Sequence, residues 1–257
     1  MELLRNKNVV VTGVLNNSSI AYRVAELAVA EGADVILTGF GRGLSITRRA
    51  AAKISPDIPV IELDASDPAS VDRAATTVAR SWERVDAIVH SIGFAPPSCL
   101  DRPMQETPWE DVATAIRVSA FSLSELARAF GPLLKRADGS AMVGLDFDAT
   151  IAWPGYNWMG VAKAALESIS RYLARDLAPL GTRVNLVSAG PIRTIAAKSI
   201  DAFRDLQDSW GQRAPLGWDP TDATGVARAV VALCSDWFPQ TTGELIHVDG
   251  GFHATGA

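Results

Sequence analysis

Tyr156 and Lys163 stand seven positions apart in the stretch Tyr156-Asn157-Trp158-Met159-Gly160-Val161-Ala162-Lys163. On a helix this is almost two turns, which returns both side chains to one face. An ammonium beside a phenol favours the charged form of the phenol, so the spacing predicts a Tyr156 primed to donate toward an oxygen gaining negative charge. Reduction of a carbonyl or an enoyl group needs such an acid. An amphipathic helix with an exposed lysine and a half-buried tyrosine would show the same spacing, so the pair takes its meaning from the rest of the chain.

Four strand ends supply that meaning. After the first apolar run the chain reads Gly13-Val14-Leu15-Asn16-Asn17-Ser18-Ser19-Ile20-Ala21. Gly13 permits a tight turn, and the amides that open the next helix, with the Ser19 hydroxyl, suit a pyrophosphate. A serine helix cap reads the same way, and the three-glycine dinucleotide fingerprint is absent. Phe40, after the second strand, offers a flat face for an adenine. Asp64, followed by Ala65 after the third, offers an acceptor for its amino group. Ser91-Ile92-Gly93 ends the fourth, where Gly93 lets the backbone approach a ribose. An extended dinucleotide is the ligand that spans such ends. No acidic residue directly follows the second strand to repel a 2′-phosphate, and Arg42 can lie along the adenine or meet that phosphate, so NADH and NADPH both stay open.

The elements that must position these residues alternate. Asn8–Thr12, Asp34–Thr38, Ile58–Leu63, Val85–His90, Ser140–Leu145, Thr182–Val187 and Glu244–Val248 read as strands. Ile20–Glu31, Leu44–Ile54, Pro68–Trp82, Pro108–Leu134, Tyr156–Leu177 and Ala223–Cys234 carry helical spacing. Short strands apolar on both faces, alternating with helices, predict a Rossmann-type doubly wound parallel sheet with helices on both faces. No linker divides residues 1–257, which are expected to form one dinucleotide-binding and catalytic domain. Residues 194–210 interrupt the alternation after a strand end, with Ile195, Ile200, Phe203 and Leu206 on one side, and are expected to form a short helical substrate lid.

Composition narrows the class. The 257 residues are 48% hydrophobic and 21% charged, with a net charge of −5. A nucleic-acid partner needs a basic face, and none is evident. No apolar run reaches the length of a membrane span and the N-terminus enters a strand at once, so a cytoplasmic protein is expected. Cys99 and Cys234 lack metal spacing and read as reduced and structural. His90, His247 and His253 are scattered, so no metal is expected.

Ser19-Ile20-Ala21, Ser91-Ile92-Gly93-Phe94, Asp146-Phe147, the Tyr156–Lys163 spacing and Ala189-Gly190-Pro191-Ile192-Arg193-Thr194 together resemble the NADH-dependent enoyl-[acyl-carrier-protein] reductases, divergent members of the short-chain dehydrogenase/reductase superfamily. The likeness runs from about Leu4 to Gly251 and is nearest to the mycobacterial branch. It implies that Tyr156 hydrogen-bonds the thioester carbonyl, that Lys163 binds the nicotinamide ribose, and that Phe147 lies beside the reacting double bond. It further implies Ser19, Ile20 and Thr194 at the pyrophosphate, Asp64 and Ala65 at the adenine, Gly93 on the adenosine side, and the Ile192 backbone at the carboxamide. Gly13, Phe40, Ser91 and Ile92 complete the expected cofactor site. Phe94, Met159, Pro191, Ile200 and Phe203 are expected at the substrate beside Tyr156.

Rival readings follow from the same residues. Ketoreductases of the superfamily resemble one another in placing tyrosine and lysine one helical turn apart, with a serine on the preceding strand where this chain has Val143; both differences favour the enoyl reductase. A reductase of a specialised metabolite pathway shares these catalytic residues, and a nucleotide-binding scaffold has no need of them. Compared with the long-chain branch the lid is roughly ten residues shorter, which predicts short or medium acyl chains. Arg193, Lys198 and Arg204 lie in or beside the lid, where an acidic acyl carrier protein is steered by such charges, although solvated surface residues read alike. The substrate is expected as a carrier-protein or coenzyme A thioester. The segment Thr241–Gly251 resembles a subunit contact and implies a homotetramer.

Overall fold

The computed structural model describes residues 2–100, 102–195, 197 and 203–255. Its seven strands are β1 (Asn8–Val11), β2 (Asp34–Gly39), β3 (Val60–Glu62), β4 (Ala87–His90), β5 (Ser140–Asp146), β6 (Thr182–Ala189) and β7 (Leu245–Val248). They form one sheet in the order β3-β2-β1-β4-β5-β6-β7, with every pairing parallel. The Rossmann-type doubly wound sheet expected from the alternation is therefore present.

The apolar runs have a direct physical cause. Successive strand residues point to opposite faces. Val9 and Val11 pack under α1 (Ile20–Ala30), α2 (Gly43–Ile54) and α8 (Thr224–Cys234), while Val10 between them packs under α3 (Pro68–Ser81), α5 (Ser122–Leu134) and α6 (Asn157–Leu177). A strand covered on both sides must be apolar at every position. All seven residues of β5 are buried accordingly.

The chain leaves β1 for β2 and β3 on one side, then crosses back to β4 on the other. Strand order thus reverses between β1 and β4, and the crevice at their carboxyl ends is where such sheets bind ligands. Among the described residues, no helix is long and apolar enough to cross a membrane.

The helix expected over Pro108–Leu134 is not continuous. It divides into α4 (Trp109–Ile116), a π-helical turn (Arg117–Phe121) and α5. The wider turn changes the direction in which later side chains leave the axis, and such turns often occur at functional sites. Here it brings Ser119 against Phe94, whose amide donates to Ser119 Oγ at 2.9 Å while the hydroxyl donates to the Phe94 carbonyl at 2.8 Å. Apolar periodicity across the segment reads as one helix because the apolar face continues through the turn.

Candidate active site

Gly155 and Asn157 both have positive φ, +68° and +36°, and turn the chain sharply into α6. Asn157 Nδ2 donates to the Arg102 carbonyl at 2.5 Å and Trp158 Nε1 to the Met104 carbonyl at 3.0 Å, which ties down the entry. Tyr156 is thereby the N-cap of α6 rather than an interior residue. Tyr156 and Lys163 are each only 7% exposed.

Their electrostatics differ from the sequence expectation. Lys163 Nζ donates to the Leu145 carbonyl at 2.8 Å and stands 3.8 Å from Asp146 Oδ1. The Tyr156 phenol is pushed above its ordinary value of 10.0, first by burial and then by the Asp146 charge. An ammonium that lowers the phenol pKa is thus corrected to a neutral phenol held in a desolvated site. Burial removes the water that would stabilise a phenolate, and the lysine charge is directed at Asp146.

Aromatic rings wall this site. Phe147 meets Tyr156 edge-on, with centroids 5.2 Å apart, and lies 5.2 Å from Trp153 and 5.8 Å from Trp210. Trp210 stacks on Phe252 at 3.7 Å. Gly190, the residue after β6, makes room for this wall: a Cβ there would stand 2.8 Å from Trp210 Nε1 and 2.7 Å from Trp218. Leu206 and Trp210 are the residues of α7 (Phe203–Arg213) that join the cluster around Phe147. Phe203 is half-buried at the start of α7, Ile195 is exposed, and Ile200 and Lys198 lie outside the described residues. Phe94 and Met159 are brought together through Ser119, whose Oγ lies 3.5 Å from Met159 Sδ.

The residues expected at the dinucleotide lie along the carboxyl edge of the sheet. Gly13, at φ +76°, sits so close to Ser91 that no other residue fits. Ile20 and Ala21 open α1, where their amides have no intrahelical acceptor and suit a phosphate. The Ser19 hydroxyl is already used: it donates to the Asn16 carbonyl at 2.7 Å and accepts from the Tyr22 amide at 3.3 Å. Ser19 therefore shapes the helix start, and a phosphate meets backbone amides there more readily than this hydroxyl. Phe40, 55% exposed, Gly41 and Asp64 line one cleft of about 610 Å³. Asp64 Oδ1 accepts from the Ser66 amide and hydroxyl, and Ala65 and Ile92 pack on the core below. Gly93 is exposed, and Pro191 and Ile192 are buried after β6. Thr194 Oγ1 accepts from the Ala197 amide. Exposed ring, free helix amides and buried ammonium fit the adenine, pyrophosphate and ribose of a dinucleotide. Among the described residues, no group of three or more His, Cys, Asp or Glu is arranged for a metal ion.

Comparison with known proteins gives these positions a family. The family model described as Enoyl-(Acyl carrier protein) reductase matches residues 13–253. The chain belongs to this family. It is 43% identical to the "Enoyl-[acyl-carrier-protein] reductase [NADH]" of Mycolicibacterium smegmatis and 42% identical to that of Mycobacterium avium, in each case over 97% of both chains. It is also 38% identical to the Escherichia coli "Enoyl-[acyl-carrier-protein] reductase [NADH] FabI", over 98% of this chain and 96% of that one.

Within this enoyl reductase fold the structure adds residues that motif and spacing missed. Ser122 Oγ lies 2.7 Å from both the Val118 carbonyl and His90 Nε2. A hydroxyl that gives its single proton to the carbonyl must accept from the imidazole, so His90 carries its proton on Nε2. His90 is fully buried and its pKa is pushed down to about 3, first by burial and then by the Lys163 charge. It is a neutral part of the floor. Asp146, which precedes Phe147 at the end of β5, is the acidic neighbour of Lys163. A carboxylate at the end of an apolar strand was the available signal, since such a position is costly unless a charge opposes it.

Proposed function

We propose that the protein reduces the trans-2 double bond of an enoyl thioester with NADH, as the names of its relatives describe for them, in fatty acid synthesis. The observation that carries this reading is the placement of Tyr156 and Lys163, both buried, beside Phe147 at the carboxyl ends of β5 and β6.

Bound NADH supplies the hydride that adds to the β-carbon. The protein's own part is to bind, orient and stabilise. The amides of Ile20 and Ala21, with Thr194, take the pyrophosphate; Phe40, Asp64 and Ala65 take the adenine; Lys163 takes the nicotinamide ribose hydroxyls. Tyr156, neutral because buried, donates a hydrogen bond to the thioester oxygen as enolate charge collects on it. Proton delivery to the α-carbon, from Tyr156 or from water, completes the reduction. Phe147, with Trp153 and Trp210, keeps water from this oxygen and so strengthens the hydrogen bond. NADPH remains a second donor to compare, because Arg42 adjoins the adenine cleft residue Gly41.

Residues 194–210 act as the lid in this reading, with Trp210 as the inner end that reaches Phe147. The alignments with the mycobacterial relatives run over 263 and 262 positions, more than the 257 residues of this chain, so gaps fall within it. That with the Escherichia coli relative runs over 255. Such gaps are consistent with the proposed shorter lid, and a shorter lid would suit short or medium acyl substrates, carried by acyl carrier protein or coenzyme A. Trp109 on α4 and Tyr172 on α6 are 68% and 60% exposed, which supports an assembly that covers them, a homotetramer by family likeness.

The test follows NADH absorbance with a crotonyl thioester and, separately, a 3-oxoacyl thioester. Turnover of the first and not the second is expected. Turnover of only the second makes the protein a ketoreductase, and uptake of NADH without any turnover makes it a binding protein.

A further inference from the structure

We propose that Asp146 is a positioning residue whose carboxylate holds Lys163 charged and in place beneath the cofactor's nicotinamide ribose. The proposal rests on the dinucleotide site described above.

The geometry is specific. Asp146 ends β5, and its side chain has no exposed surface. Both of its carboxylate oxygens are buried without a hydrogen-bond partner among the described residues. Lys163 Nζ, 3.8 Å away, is the cation beside them, and that ammonium in turn makes its hydrogen bond to the Leu145 carbonyl. An ammonium has three donors, so one directed at the backbone and one facing the carboxylate leave one for a ligand hydroxyl. A buried carboxylate left short of hydrogen bonds is costly. It is tolerable here because it opposes a buried charge that would be equally costly alone.

The surrounding charges sharpen the assignment. Burial pushes the lysine down, and Asp146 is what pulls it back up. Burial likewise pushes Asp146 up to about 7, against the pull of Lys163. The other ionisable groups that act on the pair are Glu167 on α6, Asp148 beyond β5, Tyr156 at the start of α6 and His90 on β4. Glu167 accepts from the Ala149 amide and Asp148 from the Thr150 amide, so each has its own backbone partner. Asp146 makes no hydrogen bond of ordinary geometry among the described residues, the Phe147 amide giving only a smaller pull than Lys163, and its charge faces the lysine.

The sign of the pH effect follows. Without the carboxylate, Lys163 loses its proton at lower pH. Below neutrality Asp146 is itself protonated and lends the lysine no charge, so its removal matters most on the alkaline side. The loss of NADH affinity in Asp146→Asn should therefore be smallest at acid pH, where Asp146 is itself protonated, and should grow severalfold as pH rises past 7.

Two measurements decide the matter. The first is the NADH dissociation constant against pH for the unmodified protein and Asp146→Asn, with melting temperatures alongside. A uniform loss at every pH, or no loss, overturns the proposal. The second needs neither NADH nor the Asp146→Asn variant. The Lys163 Nζ resonance of the ligand-free, unmodified protein, labelled with nitrogen-15 lysine and assigned through Lys163→Arg, should show an inflection near neutral pH as Asp146 ionises. That step should persist in Asp148→Asn and Glu167→Gln. Its absence, or its loss in either control, overturns the proposal even if NADH binds; if NADH does not bind, the functional reading fails and the inflection still tests the pair.

Discussion

Gly13 and Ser91 meet where the chain reverses its order across the sheet: a Cβ on residue 13 would stand 1.8 Å from the Ser91 carbonyl oxygen. The contact joins the loop after β1 to the end of β4, and this is the crevice in which the dinucleotide is proposed to lie. Gly13 also has φ +76°, so a side chain there meets both strain and a backbone clash. Gly13→Ala is expected to destabilise the fold by about 3 kcal/mol and to abolish NADH binding. Thermal melting and NADH fluorescence check it; a variant with native stability and affinity contradicts the placement.

Tyr156→Phe isolates the acid. A donor aimed at a developing oxyanion contributes roughly 2.7 to 4 kcal/mol, so enoyl turnover should fall about 100- to 1,000-fold while NADH affinity holds. Stopped-flow reduction at saturating substrate reads the first, and fluorescence titration the second. An unchanged kcat removes Tyr156 from the mechanism. The same substitution tests the buried phenol's effect on stability. A folded pKa above the ordinary 10.0 means that its contribution is present below that pH and lost as pH rises beyond it. The unmodified protein should lose stability faster above pH 10 than Tyr156→Phe does.

His90 gives the acid-side counterpart. Its pKa is depressed from 6.5 to about 3, so its contribution to stability is present above pH 6.5 and lost as pH falls toward 3. One proton bound only on unfolding gives a slope on the order of 1.4 kcal/mol per pH unit in that window. His90→Gln, which can still donate to Ser122 Oγ, should flatten the slope by that amount in denaturant titrations from pH 6.5 to 4. An unchanged slope would mean that His90 is not buried as a neutral imidazole.

Substrate length tests the lid. Specificity constants from crotonyl to hexadecenoyl thioesters are expected to peak in the short or medium range, and Trp210→Ala should lower them by loosening the wall at Phe147. A long-chain optimum would overturn the proposed limit on chain length.

Assembly is readable by sedimentation. The proposed homotetramer should sediment as one species, and Trp109→Glu or Tyr172→Glu on the packed helices α4 and α6 should shift it to smaller species with the fold intact. A monomer in the unmodified protein ends that proposal.

The chain's local patterns determined a great deal. Continuous apolar runs such as Val9-Val10-Val11 declare strands covered on both faces, and helical spacing between them leaves a parallel doubly wound sheet as the way to bury both. The Tyr156–Lys163 spacing marked one helix face, and the strand-end residues marked one sheet edge. What the tertiary structure alone decided is everything that sums over neighbours distant in sequence. Trp210 and Phe252 stack and bring their wall to Phe147, which no local pattern connects. The π-helical turn between α4 and α5 leaves apolar periodicity almost unchanged, yet it places Ser119 against Phe94 and Ser122 against His90. The charge on Lys163 faces Asp146 while Tyr156 is held neutral, because burial acts on each group from all sides and outweighs the proximity that seven residues of helix suggest.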